Sequence, residues 1–214
     1  MSKPRRTIEW LVWGGLGLTI LIIAAAFVWS RLNGSRASQA PLPVITSALP
    51  ELTFTNQLAQ AFTIQGLLGK VWVADIIFTR CAGPCPEMTR KMSQLQAGLP
   101  RDGSVHLVTL TTDPEFDSPS ILKRYAERFG AKPERWVFLT GSKKDIARLA
   151  VEGLKLTALE QKPEEQSTPE DLFVHSTWFA LVDKHGRLRK AFETSEPGWK
   201  QPLLEAITTL LRED

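Results

Sequence analysis

The sequence contains few residues of the types that carry most metal and redox chemistry. Its 214 residues include only two cysteines and three histidines, and both cysteines, Cys81 and Cys85, fall in one short stretch. A disulfide across so short a stretch restrains the unfolded chain very little, which disfavours a purely structural role for the pair. The chain also lacks a basic run, so there is no electrostatic reason to expect that it binds nucleic acid.

The net positive charge of the chain comes from its beginning. Residues 1–35 hold four Lys or Arg and one acidic residue, which accounts for the formal net charge of +3. The rest of the chain has 22 basic and 22 acidic residues. The basic pI therefore belongs to the N-terminal region, and the remainder is predicted to be an electrically neutral domain.

A long uncharged stretch runs from Trp10 to Trp29. Twenty residues at about 1.5 Å of rise each cover the roughly 30 Å of a hydrocarbon core. Tryptophans at both ends of the stretch are typical of membrane interfaces. We therefore predict a transmembrane anchor at residues 10–30, with residues 1–9 kept in the cytoplasm by the basic residues among them. A cleaved signal peptide is the alternative interpretation, because Ala24–Ala26 resembles a cleavage site.

The order of elements after the anchor predicts the fold class. Residues 31–46 have the composition of a flexible linker, and residues 47–214 are predicted to form one domain. Apolar runs and helical periodicity alternate along this domain and end in a hairpin and a helix. This order predicts an α/β, thioredoxin-like fold in which a central mixed β-sheet is flanked by helices. The predicted strands are 52–54, 61–64, 71–78, 105–111, 136–139, 177–182 and 188–192, and the predicted helices are 87–96, 118–129, one capped by Ser142, and 198–211.

The two cysteines follow the most apolar of the predicted strands, Val71–Phe78. Such a sheet places its sites at the carboxyl ends of its central strands. At positions i and i+4 of a helical turn, the two β-carbons lie roughly 6 Å apart, so Cys81 and Cys85 could bind one metal ion or close into a disulfide. The residues alone leave two chemistries open, a metal site and a dithiol that exchanges disulfides.

The histidines are the candidates for a further metal ligand. His175 lies between a polar segment, residues 155–172, and the strand predicted at 177–182, a position from which an imidazole can reach the cysteine face. His106 lies inside a predicted strand and is interpreted as a packed residue. His185 lies in a predicted turn and is interpreted as solvated. Met88 and Met92 also offer sulfur, but their helical spacing favours core positions.

Four stretches together resemble the SCO (SenC) family of membrane-anchored copper proteins that serve cytochrome c oxidase assembly. They are Phe78-Thr79-Arg80-Cys81-Ala82-Gly83-Pro84-Cys85-Pro86, Thr112-Asp113-Pro114-Glu115-Phe116-Asp117, Phe138-Leu139-Thr140-Gly141 and Val174-His175-Ser176-Thr177. The similarity covers residues 47–214. The segment Ala82-Gly83-Pro84 departs from the family, in which many members carry proline directly after the first cysteine.

The resemblance implies one copper ion, Cu(I) or Cu(II), bound by Cys81, Cys85 and His175. Two thiolates and a neutral imidazole give a complex of charge −1 with Cu(I) and 0 with Cu(II), so both oxidation states are tolerable. Asp113 occupies the family's acidic position and is expected to support the site or its partner contacts. Arg80 is expected to favour the thiolate form of the cysteine that follows it.

The function implied by the resemblance is that of a membrane-tethered copper metallochaperone and not an enzyme. Its acceptor would be a protein such as a copper subunit of cytochrome c oxidase. The anchor would lie in a bacterial inner membrane, with the domain in the periplasm. Two alternatives stay open. One is a thiol-disulfide oxidoreductase that uses Cys81 and Cys85 as its redox dithiol. The other is a redox or copper sensor that passes a signal through the anchor and requires a conformational change in the segment 155–172.

Overall fold

The computed structural model describes residues 5–34, 41–46, 49–156, 159–160, 173–174 and 177–213. The helices are α1 (Arg5–Gly34), α2 (Cys85–Gly98), α3 (Pro119–Arg128), α4 (Lys143–Ala147) and α5 (Lys200–Arg212). The strands are β1 (Thr53–Asn56), β2 (Ala61–Thr63), β3 (Val71–Ile77), β4 (Val105–Thr111), β5 (Trp136–Thr140), β6 (Leu159–Glu160), β7 (Phe173–Val174), β8 (Trp178–Val182) and β9 (Leu188–Glu193). A 3-10 turn, Ile64–Leu67, follows β2, and a π-helical segment, Arg148–Gly153, continues α4.

The chain divides into two compact units, residues 1–41 and 42–214. The described part of the first unit is α1, whose large apolar side chains are exposed, including Trp10 and Trp29 at its two ends. Across the described residues, no helix was found that is both long and apolar enough to cross a membrane. The anchor predicted at residues 10–30 is thus not confirmed by the structure.

Seven strands of the second unit form one mixed sheet in the order β2-β1-β5-β4-β3-β8-β9. Strand β4 pairs in parallel with β3 and with β5, whereas the remaining ladders are antiparallel. The predicted hairpin at the end of the domain is β8–β9, and Gly186 in its turn has a φ of +71°, a conformation that suits glycine. The α/β fold with a central mixed sheet is confirmed.

Both faces of the sheet are covered, which explains the unbroken apolar run of β3. Val71, Val73 and Ile77 pack into a core with α2, α3 and α5. Trp72 and the other even-numbered apolar positions of β3 pack into a second core with α4 and the π-helical segment. A strand that is buried on both sides shows no alternation of apolar and polar residues, and β3 is fully buried along its seven residues.

Several boundaries differ from the predicted ones. Helix α2 begins at Cys85, two residues earlier than predicted, because Pro86 fits the first turn of a helix. Ser118 stands at the N-cap of α3 without a capping hydrogen bond from its side chain, whereas the Ser142 hydroxyl accepts the backbone N–H of Asp145 as predicted. The polar segment 155–172 includes β6, which pairs with β7; residues 157–158 and 161–172 lie outside the described residues.

The start of the domain also differs from the prediction, because residues 42–46 contact it. The Arg189 guanidinium donates hydrogen bonds to the backbone carbonyl of Leu42 and, at 3.3 Å, to that of Pro43. Thr46 forms a β-bridge with Leu188 at the edge of the sheet. The segment predicted as linker at 31–46 therefore overlaps with α1 at its beginning and with the domain at its end.

Candidate functional site

The cysteine loop, residues 78–84, connects the end of β3 to the start of α2. It begins with a turn in which the Cys81 N–H donates to the carbonyl of Phe78 at 3.2 Å. It ends at Cys85, the first residue of α2, and the carbonyl of Pro84 accepts the first N–H bonds of that helix. The loop therefore lies at the carboxyl end of a central strand, where the sequence predicted a site.

The two cysteines are reduced, buried and close together. No disulfide joins them, and Cys81 and Cys85 are 6% and 4% exposed. A hydrogen bond between the two side chains is the main reason that the pKa of the Cys85 thiol lies far above its usual value, and burial raises it further. Cys85 is thus held in its protonated thiol form.

The start of α2 supports negative charge at the loop in a second way. Unpaired N–H groups at a helix N-terminus, together with the helix dipole, stabilise a nearby thiolate. At Cys85 this effect is outweighed by its partner sulfur and by burial, because the pKa is raised. The helix terminus therefore acts on two sulfurs that are hydrogen-bonded to each other.

Arg80 does not act on the sulfurs as an isolated positive charge. Its guanidinium pairs with the Asp113 carboxylate at 2.5 Å and lies over the ring of Phe116 at 4.2 Å. Asp113 is nearly buried, and its backbone N–H bonds the Thr111 hydroxyl at 3.0 Å. The expectation that Arg80 favours the thiolate is weakened by this ion pair, which largely offsets its charge.

Asp117 fixes the other side of the cysteine loop. Its buried carboxylate accepts the backbone N–H of Thr79 at 3.0 Å and also the hydroxyl of that residue. The Thr111 hydroxyl, at the end of β4, donates to the same carboxylate at 2.5 Å. The carboxylate therefore joins the residue two positions before Cys81 to the neighbouring strand.

The structure separates two of the three histidines from the cysteines. His106 is near the start of β4, on the sheet face opposite the cysteines, with its Nε2 3.5 Å from Lys70 Nζ. Burial, with the charge of Lys70, lowers its pKa. His185 lies in the β8–β9 turn, which the antiparallel pairing of β8 with β3 places at the end of the sheet away from the cysteine loop. His175 lies outside the described residues.

Thr177, the first described residue after His175, lies near α2. The hydroxyl of Thr194 donates to the carbonyl of Thr177 at 2.7 Å and approaches the sulfur of Met88 at 2.9 Å. Met88 lies three residues after Cys85 in the same helix. Because β8 runs antiparallel to β3, its first residues lie at the edge of the sheet where the cysteine loop begins.

The two methionines of α2 belong to the core, as predicted. Met88 and Met92 are 2% and 0% exposed. Within the described ranges, no group of three His, Cys, Asp or Glu side chains is arranged to hold a metal ion. The described part of the site thus offers the two sulfurs, with Asp113 engaged by Arg80.

Two carboxylates near the site were not assigned a role from the sequence. Asp75 lies in β3 beneath the cysteine loop, fully buried. Its signal was a single charged residue inside an otherwise apolar strand. Asp117 was visible only as the last residue of the stretch Thr112–Asp117, and nothing local indicates that it bonds Thr79, 38 positions away.

The SCO1/SenC family model matches residues 46–212 of the chain. The SCO1 protein homolog of Bacillus subtilis is 36% identical over 146 residues, which is 67% of this chain and 72% of that protein. A protein of Stutzerimonas stutzeri that is named for copper binding is 31% identical over 144 residues, 66% of this chain and 67% of that protein.

Solved structures of Sco family proteins are also similar to this chain. BsSco, described as a member of the Sco family of cytochrome c oxidase assembly proteins with a disulfide switch, is 27% identical with a TM-score of 0.69, covering 82% of this chain and all of the other. A SCO1/SenC family lipoprotein from Bacillus anthracis is 30% identical with a TM-score of 0.69, covering 80% of this chain and 99% of the other.

Proposed function

The chain belongs to the SCO1/SenC family, and from this membership we propose that it binds one copper ion and serves the assembly of the copper centre of cytochrome c oxidase. The observation that carries the proposal is the pair of adjacent, reduced sulfurs at the start of α2. The names of two relatives agree with it, one naming copper binding and the other cytochrome c oxidase assembly.

The donor set fits copper. Thiolate sulfur is a soft ligand that suits Cu(I), and an added imidazole allows the site to hold Cu(II) as well. The sulfurs of Cys81 and Cys85 lie close enough to share a proton, so one ion can replace that proton between them. Copper would be cargo here, held by the reduced pair and released to the ligands of an acceptor protein.

We propose His175 as the third ligand. The described chain resumes at Thr177, which is tied through Thr194 to Met88, one turn beyond Cys85. Two residues of extended chain span roughly 7 Å, so a side chain at position 175 can reach the cysteine loop. Asp113 is assigned a supporting role, because its carboxylate is bound to Arg80 beside the loop.

The ligand assignment is tested by copper content and visible absorbance of the reduced full chain after one equivalent of copper and gel filtration. We expect His175→Ala to lose most of the bound copper or to change its absorbance. His185→Ala is the matched control, since that imidazole lies at the far end of the sheet. Unchanged copper content and absorbance in His175→Ala would refute the assignment, and an absence of bound copper in the wild type would refute the function.

Thiol-disulfide exchange with an acceptor protein is the second candidate function. It is favoured by the two adjacent thiols and by the raised pKa of Cys85, and we assign Cys81 as the attacking group and Cys85 as the group that resolves the mixed disulfide. Metal-independent reduction of an acceptor disulfide, abolished in Cys81→Ser, would support it. Reduction that requires copper would count against it.

We further propose that residues 10–30 anchor the protein in a bacterial inner membrane, with the domain in the periplasm. The proposal rests on the uncharged sequence and on the exposed apolar side chains of α1. The related Bacillus anthracis protein is described as a lipoprotein, which agrees with association with a membrane. Release of the full chain from bacterial membranes by an alkaline wash would contradict an anchor, and resistance of the domain to protease in spheroplasts would contradict the periplasmic side.

A further inference from the structure

A groove with a volume of about 450 Å³ lies between α2 and the end of α3. It is lined by Arg90, Ser93, Gln94, Arg128 and Phe129. None of these residues belongs to the cysteine loop, and neither proposed function uses them. A cavity of this volume falls within the range of small-molecule binding sites.

The two helices that form the groove are tied together by polar contacts. The hydroxyl groups of Thr89 in α2 and Tyr125 in α3 are 3.0 Å apart, within hydrogen-bond distance. Further along α2, the side-chain amide of Gln96 donates to the carbonyl of Gly130 at 3.0 Å and accepts the backbone N–H of Lys132 at 2.9 Å. The contacts come before and after the lining residues of α2, so the spacing of the two helices is fixed along the groove.

The aromatic wall of the groove is also held in place. The ring of Phe129 is half-buried and packs against the ring of Tyr125, with centroids 4.8 Å apart. The guanidinium carbon of Arg128 lies 5.7 Å from the centroid of Phe129. A cation over an aromatic ring is attracted to it, which keeps this guanidinium beside the ring. The groove therefore presents a flat apolar surface next to a positive charge.

The charged groups that line the groove are both positive. Arg90 and Arg128 are exposed at the surface, and no carboxylate is among the described lining residues. Arg90 pairs with the exposed carboxylate of Glu87 at 2.8 Å, one turn earlier in α2. Ser93 and Gln94 add neutral groups that can donate hydrogen bonds. An anion would thus meet two guanidinium groups and neutral donors in the groove.

We propose that this groove binds a small organic anion in which a carboxylate is joined to a flat apolar body. The guanidinium groups of Arg90 and Arg128 bind the carboxylate, because a planar guanidinium presents parallel N–H donors that match the two oxygens. The apolar body packs against Phe129. Inorganic phosphate lacks the apolar body and a neutral aromatic alcohol lacks the charge, so each of them satisfies only half of the groove.

The test is a titration of the reduced, metal-free full chain with naphthoate, followed by NMR of the backbone amides. We expect saturable shifts at Ser93, Gln94 and Phe129, with a Kd of about 1 mM for a ligand of this size. Inorganic phosphate and naphthylmethanol, titrated in the same way, should bind at least roughly tenfold more weakly. The site of the shifts distinguishes binding in the groove from binding to the apolar surface of α1.

Arg128→Gln removes one positive charge from the groove and keeps a polar side chain. Because this side chain is exposed, the fold should be retained, and naphthoate should bind roughly fivefold more weakly. Arg124→Gln is the matched control, since Arg124 is an exposed arginine of the same helix that does not line the groove. The proposal would be overturned by an absence of saturable shifts at the lining residues, by equal affinity in Arg128→Gln and the wild type, or by phosphate binding as tightly as naphthoate.

Discussion

The burial of Asp75 makes a quantitative prediction for the stability of the fold. The pKa of this group is raised from 3.8 to about 7 by burial, so between these values the folded protein holds a proton that the unfolded chain has released. The contribution of this proton to the free energy of unfolding should then be fully present below about pH 4 and should be lost as the pH rises to about 7. A difference of about three pKa units corresponds to about 4 kcal/mol in total.

The perturbation that tests this reasoning is Asp75→Asn. The amide has nearly the shape of the protonated carboxyl group but does not ionise, so the variant should lack this part of the pH dependence. Of the 4 kcal/mol, about 3 kcal/mol is lost between about pH 5 and pH 8. The free energy of unfolding of the variant, minus that of the wild type, should therefore be larger at pH 8 than at pH 5 by about that amount, which means that the variant is relatively more stable at pH 8.

The assay is urea unfolding of the reduced, metal-free full chain at the two pH values, followed by tryptophan fluorescence. Asp102→Asn serves as the control, because that exposed carboxylate has a lowered pKa, caused first by its bond to the Ser104 hydroxyl. Parallel pH profiles for Asp75→Asn and the wild type would refute the reasoning. They would mean that Asp75 stays charged in the folded protein.

Three further substitutions test other parts of the structure by urea unfolding. Asp117→Ala removes the acceptor of three hydrogen bonds from Thr79 and Thr111, and we expect a loss of about 3 kcal/mol; an unchanged midpoint would show that water replaces the carboxylate. Met92→Ala empties a fully buried position and should cost about 3 kcal/mol, a loss that Met92→Leu should largely avoid. Arg189→Met removes the buried guanidinium that pairs with Asp183 and Glu213; Asp183 keeps its ion pair with Arg187, and we expect a cost of about 3 kcal/mol that becomes smaller at acidic pH; equal losses at acidic and neutral pH would contradict this explanation.

The sheet could be predicted from the sequence because each of its central strands is a local apolar run. Val105–Thr111 was predicted at the observed bounds, and β3 differs from its predicted range by one residue. The carboxyl-end position of Cys81 and Cys85 followed from the same pattern, since the carboxyl ends of parallel strands meet at one edge of a sheet. These features depend on short stretches of chain.

The support of the site depends on long-range contacts, and the sequence does not indicate these. The bond from Asp117 to Thr79 and the ion pair of Arg80 with Asp113 join segments more than 30 positions apart. Alternation along β3 indicates which face Asp75 occupies only once both faces are known to be buried. The predicted ligand His175 lies outside the described residues and stays a proposal.

The extent of the linker was misjudged for a similar reason. Residues 42–46 have the small and proline-rich composition of a tether, but their carbonyl groups meet a buried guanidinium. Arg189 is 3% exposed and binds Asp183 and Glu213 as well as Leu42. Composition indicates the local preference of a segment but not its contacts with distant residues. Here the contact with Arg189 determines where the domain begins.

The docking of residues 42–46 on β9 determines how the domain responds to mechanical load. A pull on the chain before Leu42 is transmitted to Arg189 and to the Thr46–Leu188 bridge, both on the outermost strand. In the order of the sheet, β8 separates that strand from β3, which leads into the cysteine loop. If these contacts open, the load passes along the chain to β1, which β5 and β4 separate from β3. On either route other strands bear the tension before it reaches the sulfurs.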